Sequence, residues 1–333
     1  MSGKQRRTGT VGGTIDVELL VQIAHLYYDE EMTQQKIAKK LNMSRSLVSK
    51  LLAKAKEKGI VKVTISDEVN RPHQTLEAQL KKLFGLSEVI ITPADSGANN
   101  QKLAQEAGRY LTRRLSEVTK AAVSAGRTTR EIAEYLSVPK SYFHVVLVPM
   151  SGGLSDEYSE IEANSVSELF AMKCGAKSMR LHAPILVDST QAKDILKKQY
   201  FIKNTLDAAR TADIAVVGIG NTFRYAEVKE AYLHGYNAGE LPDSKHIKGD
   251  LSYNYFDKNG KAVDNTWNSL LIGLSLEEIK RIPEVICVAD EVVKAESIYI
   301  ATKSGLINTL ITNEMVAQKV LWYYAKSYGL NTK

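Results

Sequence analysis

The chain has 333 residues, with 44 Lys and Arg against 38 Asp and Glu, a formal net charge of +6 and two cysteines. That length exceeds the usual size of a single domain and leaves room for a small domain beside a large one. Cys174 and Cys287 stand far apart with no CxxC or histidine-rich neighbourhood, which excludes a disulfide framework and a cysteine zinc site and fits a reducing, cytoplasmic compartment; no apolar run reaches a membrane span.

The opening stretch "MSGKQRRTGTVGGT", residues 1–14, lacks the apolar core of a signal peptide and reads as a disordered tail, or as an arm that touches DNA. After Asp16, an N-cap candidate, the spacing of Leu19, Leu20, Ile23, Leu26 and Tyr27 predicts an amphipathic helix. Thr33 is placed to cap a short second helix that turns Ile37, Ala38 and Leu41 inward and ends at Asn42. Ser44 caps a third. On it Leu47, Val48, Leu51, Leu52 and Ala55 are expected on one side, and Ser46, Ser49, Lys50, Ala53 and Lys54 on the other. Gly59 stops this helix, and the alternation of Val61, Val63 and Ile65 predicts a half-buried strand or wing.

Between Met32 and Lys62 nine Lys and Arg stand against one Glu, so the basicity of the chain is local and points to a polyanion as partner for this segment. Three short helices with a tight turn before the third describe a helix-turn-helix over residues 15–66, whose last helix enters the major groove of double-stranded DNA. Arg45, Ser46, Ser49 and Lys50 are the candidates for base edges, with Ser44, Thr33, Gln34 and Gln35 beside them. Lys54 and its neighbouring lysines would neutralise phosphates.

A proline-bearing linker, residues 67–75, leads into a region at 76–330 where apolar runs alternate with amphipathic helices. Strands are predicted at 88–93, 121–125, 144–150, 183–187, 213–220, 284–290 and 309–313, which together describe an α/β domain with a buried parallel sheet. Ligands of such sheets gather beyond the carboxyl ends of the strands, where helix N-termini attract anions. "SAGRTTREI" offers Ser124, Gly126, Arg127 and Thr128 there, "MSGGLS" offers Ser151, Gly152 and Gly153, and "VGIGNT" offers Gly220 and Asn221. This last run is not a dinucleotide fingerprint, because Phe223 occupies the position of the final glycine. Asp250, after a glycine in a segment that also carries a "DKNG" hairpin turn at 257–260, suits ligand hydroxyls or a turn cap, and Lys294, at a helix start after a strand, suits an anion or plain solvent exposure. No cofactor and no metal site is implied.

"LYYDEEMTQQKIAKKLNMSRSLVSKLLAKAKEKGIVKV" resembles the helix-turn-helix of the SorC/DeoR-type bacterial regulators, and the resemblance extends over residues 16 to 325. It implies an N-terminal winged helix-turn-helix joined to a Rossmann-like, sugar-isomerase-like effector domain. The family's SWG-type motif is similar to Ser124-Ala125-Gly126, its SGG loop to Ser151, Gly152 and Gly153, and its GIG loop to Gly218, Ile219 and Gly220. Its GD…FD..G motif matches Gly249, Asp250, Phe256, Asp257 and Gly260, and a ligand-proximal asparagine corresponds to Asn164. The family's final glycine pair and K..AI helix correspond to Ala289, Asp290 and Lys294, a form closer to the sorbose-type branch. Some relatives capture an aldehyde through a lysine just before the SGG-like loop; Met150 stands there, which excludes that route.

The expectation is therefore a non-enzymatic, sequence-specific regulator of a sugar-catabolic operon. Its partners would be operator DNA, a sugar or sugar-phosphate effector, and further copies of itself in a dimer of dimers. Two other readings stand beside it. One is a DNA-tethered sugar-phosphate isomerase using Asp156, Glu157, Glu162 or Asp250 as base. The other is a purely architectural DNA binder, which leaves the anion loops without a role.

Overall fold

The computed structural model describes residues 17–61, 73–93, 101–221 and 246–329. The chain divides into two compact units, Met1–Arg71 and Pro72–Lys333.

In the first unit, α1 (Val17–Tyr28), α2 (Gln34–Lys40) and α3 (Arg45–Glu57) close on a small core of Leu20, Ile23, Ile37, Val48, Leu52 and Ala55. The local signals act as expected. Thr33 Oγ1 accepts from Lys36 N at 3.3 Å and Ser44 Oγ from Leu47 N at 3.1 Å, each capping the first turn of its helix. Asn42 takes the left-handed conformation at φ 54° between the helices, and Gly59 at φ 72° follows the end of α3. Leu47 departs from expectation: it is 42% exposed. At 100° per residue the buried stripe centres on Val48, Leu51, Leu52 and Ala55, and Leu47 falls at its edge, aligned instead with Lys50 and Lys54. Ile60 and Val61 pack against this core, while the rest of the expected wing, most of the expected linker and the 1–14 tail lie outside the described residues.

The second unit begins with α4 (Gln74–Phe84), two residues inside the segment expected as linker. Strands and helices then alternate as β1 (Glu88–Thr92), α5 (Gln101–Leu115), β2 (Lys120–Val123), α6 (Arg127–Tyr135), β3 (Val146–Pro149), α7 (Ala163–Cys174) and β4 (Lys177–Ser178). The helices α8 (Thr190–Lys198) and α9 (Tyr200–Arg210) precede β5 (Ile214–Val217). After an excursion through β6 (Ile219–Gly220), β7 (Gly249–Leu251), β8 (Asn254–Phe256), α10 (Thr266–Leu270) and α11 (Leu276–Lys280), the main layer resumes. It ends with β9 (Glu284–Ala289), α12 (Ala295–Lys303), β10 (Thr309–Asn313) and α13 (Glu314–Ser327).

Seven strands form one parallel sheet in the order β1-β10-β9-β5-β2-β3-β4. Both faces are covered, so successive residues of a strand enter different cores. Val285, Cys287 and Ala289 of β9 join one cluster, and Ile286 and Val288 the other. The opposite end of β9 is fastened by a buried carboxylate: Glu284 accepts from Tyr110 Oη, from Arg114 Nε at 2.7 Å and from Thr309 Oγ1 at 3.0 Å.

Two expected strands need correction. The run 213–220 is two strands in two sheets, because Gly218 donates its amide to Ser124 Oγ at 3.4 Å and the chain turns there into a three-stranded antiparallel sheet, β6-β7-β8. The run 183–187 is not a strand of either sheet. Pro184 has no amide to donate, and the segment makes single bridges, Gly153 with Pro184 and Leu186 with Leu271.

Candidate functional site

A cavity of about 200 Å³ opens above the carboxyl ends of three adjacent central strands, β2, β5 and β9. Its floor and walls come from the loop Ala125–Gly126 and the first turn of α6, from Gly218–Asn221 after β5, from Asp250, Ser252 and Tyr253 of the small sheet, and from Glu291 and Lys294 after β9. This is where open parallel sheets hold ligands.

Each wall has a local cause. Gly126, at φ 135°, adopts a backbone conformation that side chains disfavour, and donates to Ile161 O at 2.8 Å; α6 starts immediately after it. The amides of the first turn of α6 have no intrahelical acceptor, and that turn carries Arg127 and Thr128 along the cavity. Ser124 is buried at the end of β2 and does not line the cavity; its hydroxyl contacts Ala125 O at 3.2 Å and the amide of Gly218, joining two of the loops that do. Gly220 pairs with Asp250 across the β6–β7 ladder, and the Asp250 carboxylate lies where a Gly220 side chain would be. Gly249 is required in turn because Phe256 packs over it and Ser297 Cβ stands 2.8 Å from where its Cβ would lie. Asn221 Nδ2 donates to Val293 O at 2.9 Å, tying the end of β6 to the 3-10 turn Val292–Lys294.

Lys294 is only 9% exposed, and its Nζ lies 2.5 Å from Glu291 Oε1. Two further carboxyl groups belong to this neighbourhood. Burial, reinforced by the charge of Asp290, raises the Glu131 carboxyl above its ordinary range. Burial raises that of Asp290 as well, and Lys294 opposes the rise.

The structure thus brings together Gly126, Arg127, Thr128, Gly220, Asn221, Asp250 and Lys294 of the residues expected at the effector. It does not bring in Ser151, Gly152, Gly153 or Asn164. The amides of Gly152 and Gly153 are spent on Ile272 O at 2.9 Å and Ala183 O at 2.8 Å, so they have no proton to offer a phosphate. Glycine is needed at Gly152 because the Pro184 carbonyl occupies the space of a side chain, whereas a Cβ at Gly153 would meet only the end of the Glu162 side chain, at 2.7 Å. Asn164 is a clamp: its Oδ1 accepts from Leu181 N at 2.8 Å and its Nδ2 faces Leu181 O at 3.4 Å. Of the carboxylates named for an isomerase base, Asp156 and Glu157 are exposed on the 3-10 turn Asp156–Tyr158, and Glu162 accepts from Leu154 N at 3.0 Å. Only Asp250 reaches the cavity.

Sequence reasoning missed Ser252, Tyr253 and Glu291. Ser252 (φ 47°) and Tyr253 (φ 65°) form the tip of the β7–β8 hairpin in left-handed conformations, although neither residue type announces such a turn. Among the described residues no cluster of three or more His, Cys, Asp or Glu is arranged to hold a metal ion, and no helix is long and apolar enough to cross a membrane.

In the first unit Arg45, Ser46, Ser49 and Lys50 are exposed on α3, and Lys54 is half-buried. Thr33 and Ser44 act as caps, and the Ser44 hydroxyl also meets Ser46 Oγ at 3.0 Å. Gln34 is half-buried and Gln35 exposed in the first turn of α2.

Comparison with known proteins agrees with both halves. Residues 71–322 match the sugar-binding domain family, and residues 22–58 match region 4 of sigma-70. The sorbitol operon regulator of Klebsiella pneumoniae is 30% identical over 314 residues, covering 92% of this chain and 98% of that protein. The transcriptional regulator LsrR of Enterobacter sp. (strain 638) is 32% identical over 308 residues, covering 91% of this chain and 93% of that one. The crystal structure of the full-length sorbitol operon regulator SorC from Klebsiella pneumoniae superposes with a TM-score of 0.71 at 27% identity, over 93% of this chain and all of that one. These relatives are transcriptional regulators and not enzymes. The chain belongs to the sugar-binding SorC/DeoR-type family of bacterial transcriptional regulators.

Proposed function

We propose that this regulator senses a sugar or polyol bearing an anionic group, most simply a phosphate, in the cavity above β2, β5 and β9, and that occupancy changes its affinity for operator DNA of a sugar-catabolic operon. The observation that carries this is the composition of one cavity: a helix N-terminus with Arg127 and Thr128 on one wall, the Asp250 carboxylate on another, and buried Lys294 on a third. Cations and amides suit the anionic group, and a carboxylate suits the hydroxyls of the carbon chain. On the DNA side, Arg45, Ser46, Ser49 and Lys50 read base edges, while Lys54 and the other lysines around α2 and α3 meet phosphates. A single helix-turn-helix offers a small interface, so the working species is a cytoplasmic homo-oligomer, a dimer of dimers, on a repeated operator.

Calorimetric titration with a panel of hexitols, hexoses and pentoses, each free and phosphorylated, tests the sensing half. At least one phosphorylated member is expected to saturate wild type and to bind Asp250→Asn roughly tenfold or more weakly, as loss of a charged acceptor for hydroxyls implies. Equal affinity for wild type and variant would place the ligand elsewhere.

A further inference from the structure

Lys294 and Glu291 belong to a single turn. The Lys294 amide donates to Glu291 O at 2.9 Å, the two side chains pair at 2.5 Å, and both residues line the cavity. A cation this deeply buried requires a counter-charge, and in this structure Glu291 supplies one. The two partners are not equally held. The Lys294 side chain is 11% exposed and that of Glu291 33%, so the carboxylate is on the solvent side of the pair. Asn221 bonding to Val293 O holds the intervening turn in place.

Resting on the reading of this cavity as the effector site, we infer that Glu291 is a latch on Lys294: its carboxylate occupies the cation until an anionic group of the effector displaces it. The surroundings make joint occupancy unfavourable. Asp290 from the end of β9 and Glu131 from α6 belong to the same neighbourhood, where burial raises both carboxyl groups, so the site disfavours an additional buried negative charge beside the one that pairs with Lys294. A ligand with a phosphate can replace the charge that Glu291 gives up, which an uncharged polyol cannot. The latch therefore makes the site select phosphorylated over neutral forms of one carbon skeleton. Because binding requires the open form, the apparent affinity is lowered by the fraction of molecules that are open.

Inorganic phosphate, titrated calorimetrically into the full chain, is the simplest probe. Four proteins are compared: wild type, Glu291→Gln, Lys294→Ala and the double variant. Glu291→Gln keeps the shape and removes the charge, and it is expected to bind phosphate roughly three- to tenfold more tightly than wild type. That gain is expected to vanish in the Lys294→Ala background, since the latch acts only through this cation. Unchanged or weaker binding by Glu291→Gln, with Lys294→Ala still impaired, would overturn the latch and leave the effector site standing. Phosphate binding that is indifferent to Lys294, or absent in wild type and Glu291→Gln alike, would overturn the effector-site reading and the latch with it.

Discussion

Asp250 crosses directly over Gly220: the two residues are partners in the β6–β7 ladder, and a methyl group added to Gly220 would lie inside the Asp250 carboxylate. The glycine of the GIG loop is thus required to seat an acidic side chain at the cavity, rather than to let a phosphate approach. Gly220→Ala is expected to push Asp250 out of place and weaken effector binding by roughly tenfold or more, with little change in DNA affinity in the absence of effector. Parallel calorimetry and DNA-binding titrations check this, and an alanine variant with wild-type effector affinity would mean that Asp250 does not touch the ligand.

Leu47 gives a prediction for the DNA side. It is exposed beside Arg45 and Ser46 at the start of α3, so Leu47→Ala is expected to leave stability within about 0.5 kcal/mol. An apolar side chain at that position suits a thymine methyl, and its loss is expected to reduce discrimination against substituted base pairs. Arg45→Ala is expected to cost about 1–3 kcal/mol in specific binding and to relax base preference. Anisotropy titrations against specific and scrambled duplexes distinguish these effects. Equal losses on both duplexes would reduce either residue to a backbone contact.

The legibility of the sequence follows the range of the interaction involved. Thr33, Asn42, Ser44 and Gly59 act within a few residues of themselves, and their roles could be read directly. The apolar runs of the parallel sheet were equally plain, since both faces of β1, β5, β9 and β10 are buried. What could not be read was why a glycine is a glycine. Gly152 makes room for the Pro184 carbonyl and Gly220 for Asp250, contacts between segments about 30 residues apart that no local pattern encodes. The family resemblance supplied the loops, but it could not say that the Gly152 and Gly153 amides are already spent. Glu291 was passed over because a carboxylate beside an expected anion site reads as a surface residue until its pairing with Lys294 is seen.

A pH dependence follows from the Asp290 carboxyl, which burial raises above its ordinary value against the opposing pull of Lys294. A raised carboxyl binds its proton more readily in the folded than in the unfolded chain. Its contribution to stability is therefore fully present below the unfolded value and is lost as pH rises through the folded one. Asp290→Asn escapes that loss. Its melting temperature is expected to exceed that of wild type near neutral pH, and the difference to shrink as pH falls to about 4, where carboxylates begin to protonate. Thermal melts across that window decide it; a difference that grows on acidification would reverse the sign and show that Asp290 is stabilised as a carboxylate by Lys294.

Coupling between the two units is the central claim, and Lys294→Ala tests it most directly. Fluorescence anisotropy would follow binding to a duplex that the wild type binds specifically, with and without the sugar phosphate that saturates wild type. Removing the buried cation deletes a charge-assisted contact contributing about 1.5–3 kcal/mol, so the variant is expected to need roughly ten- to a hundredfold more effector for the same shift in DNA affinity. Its DNA binding without effector is expected to match wild type, because a ligand moves the equilibrium only through its different affinity for two states. A variant that responds at the wild-type effector concentration, or a wild type whose DNA affinity no sugar phosphate changes, would contradict the claim.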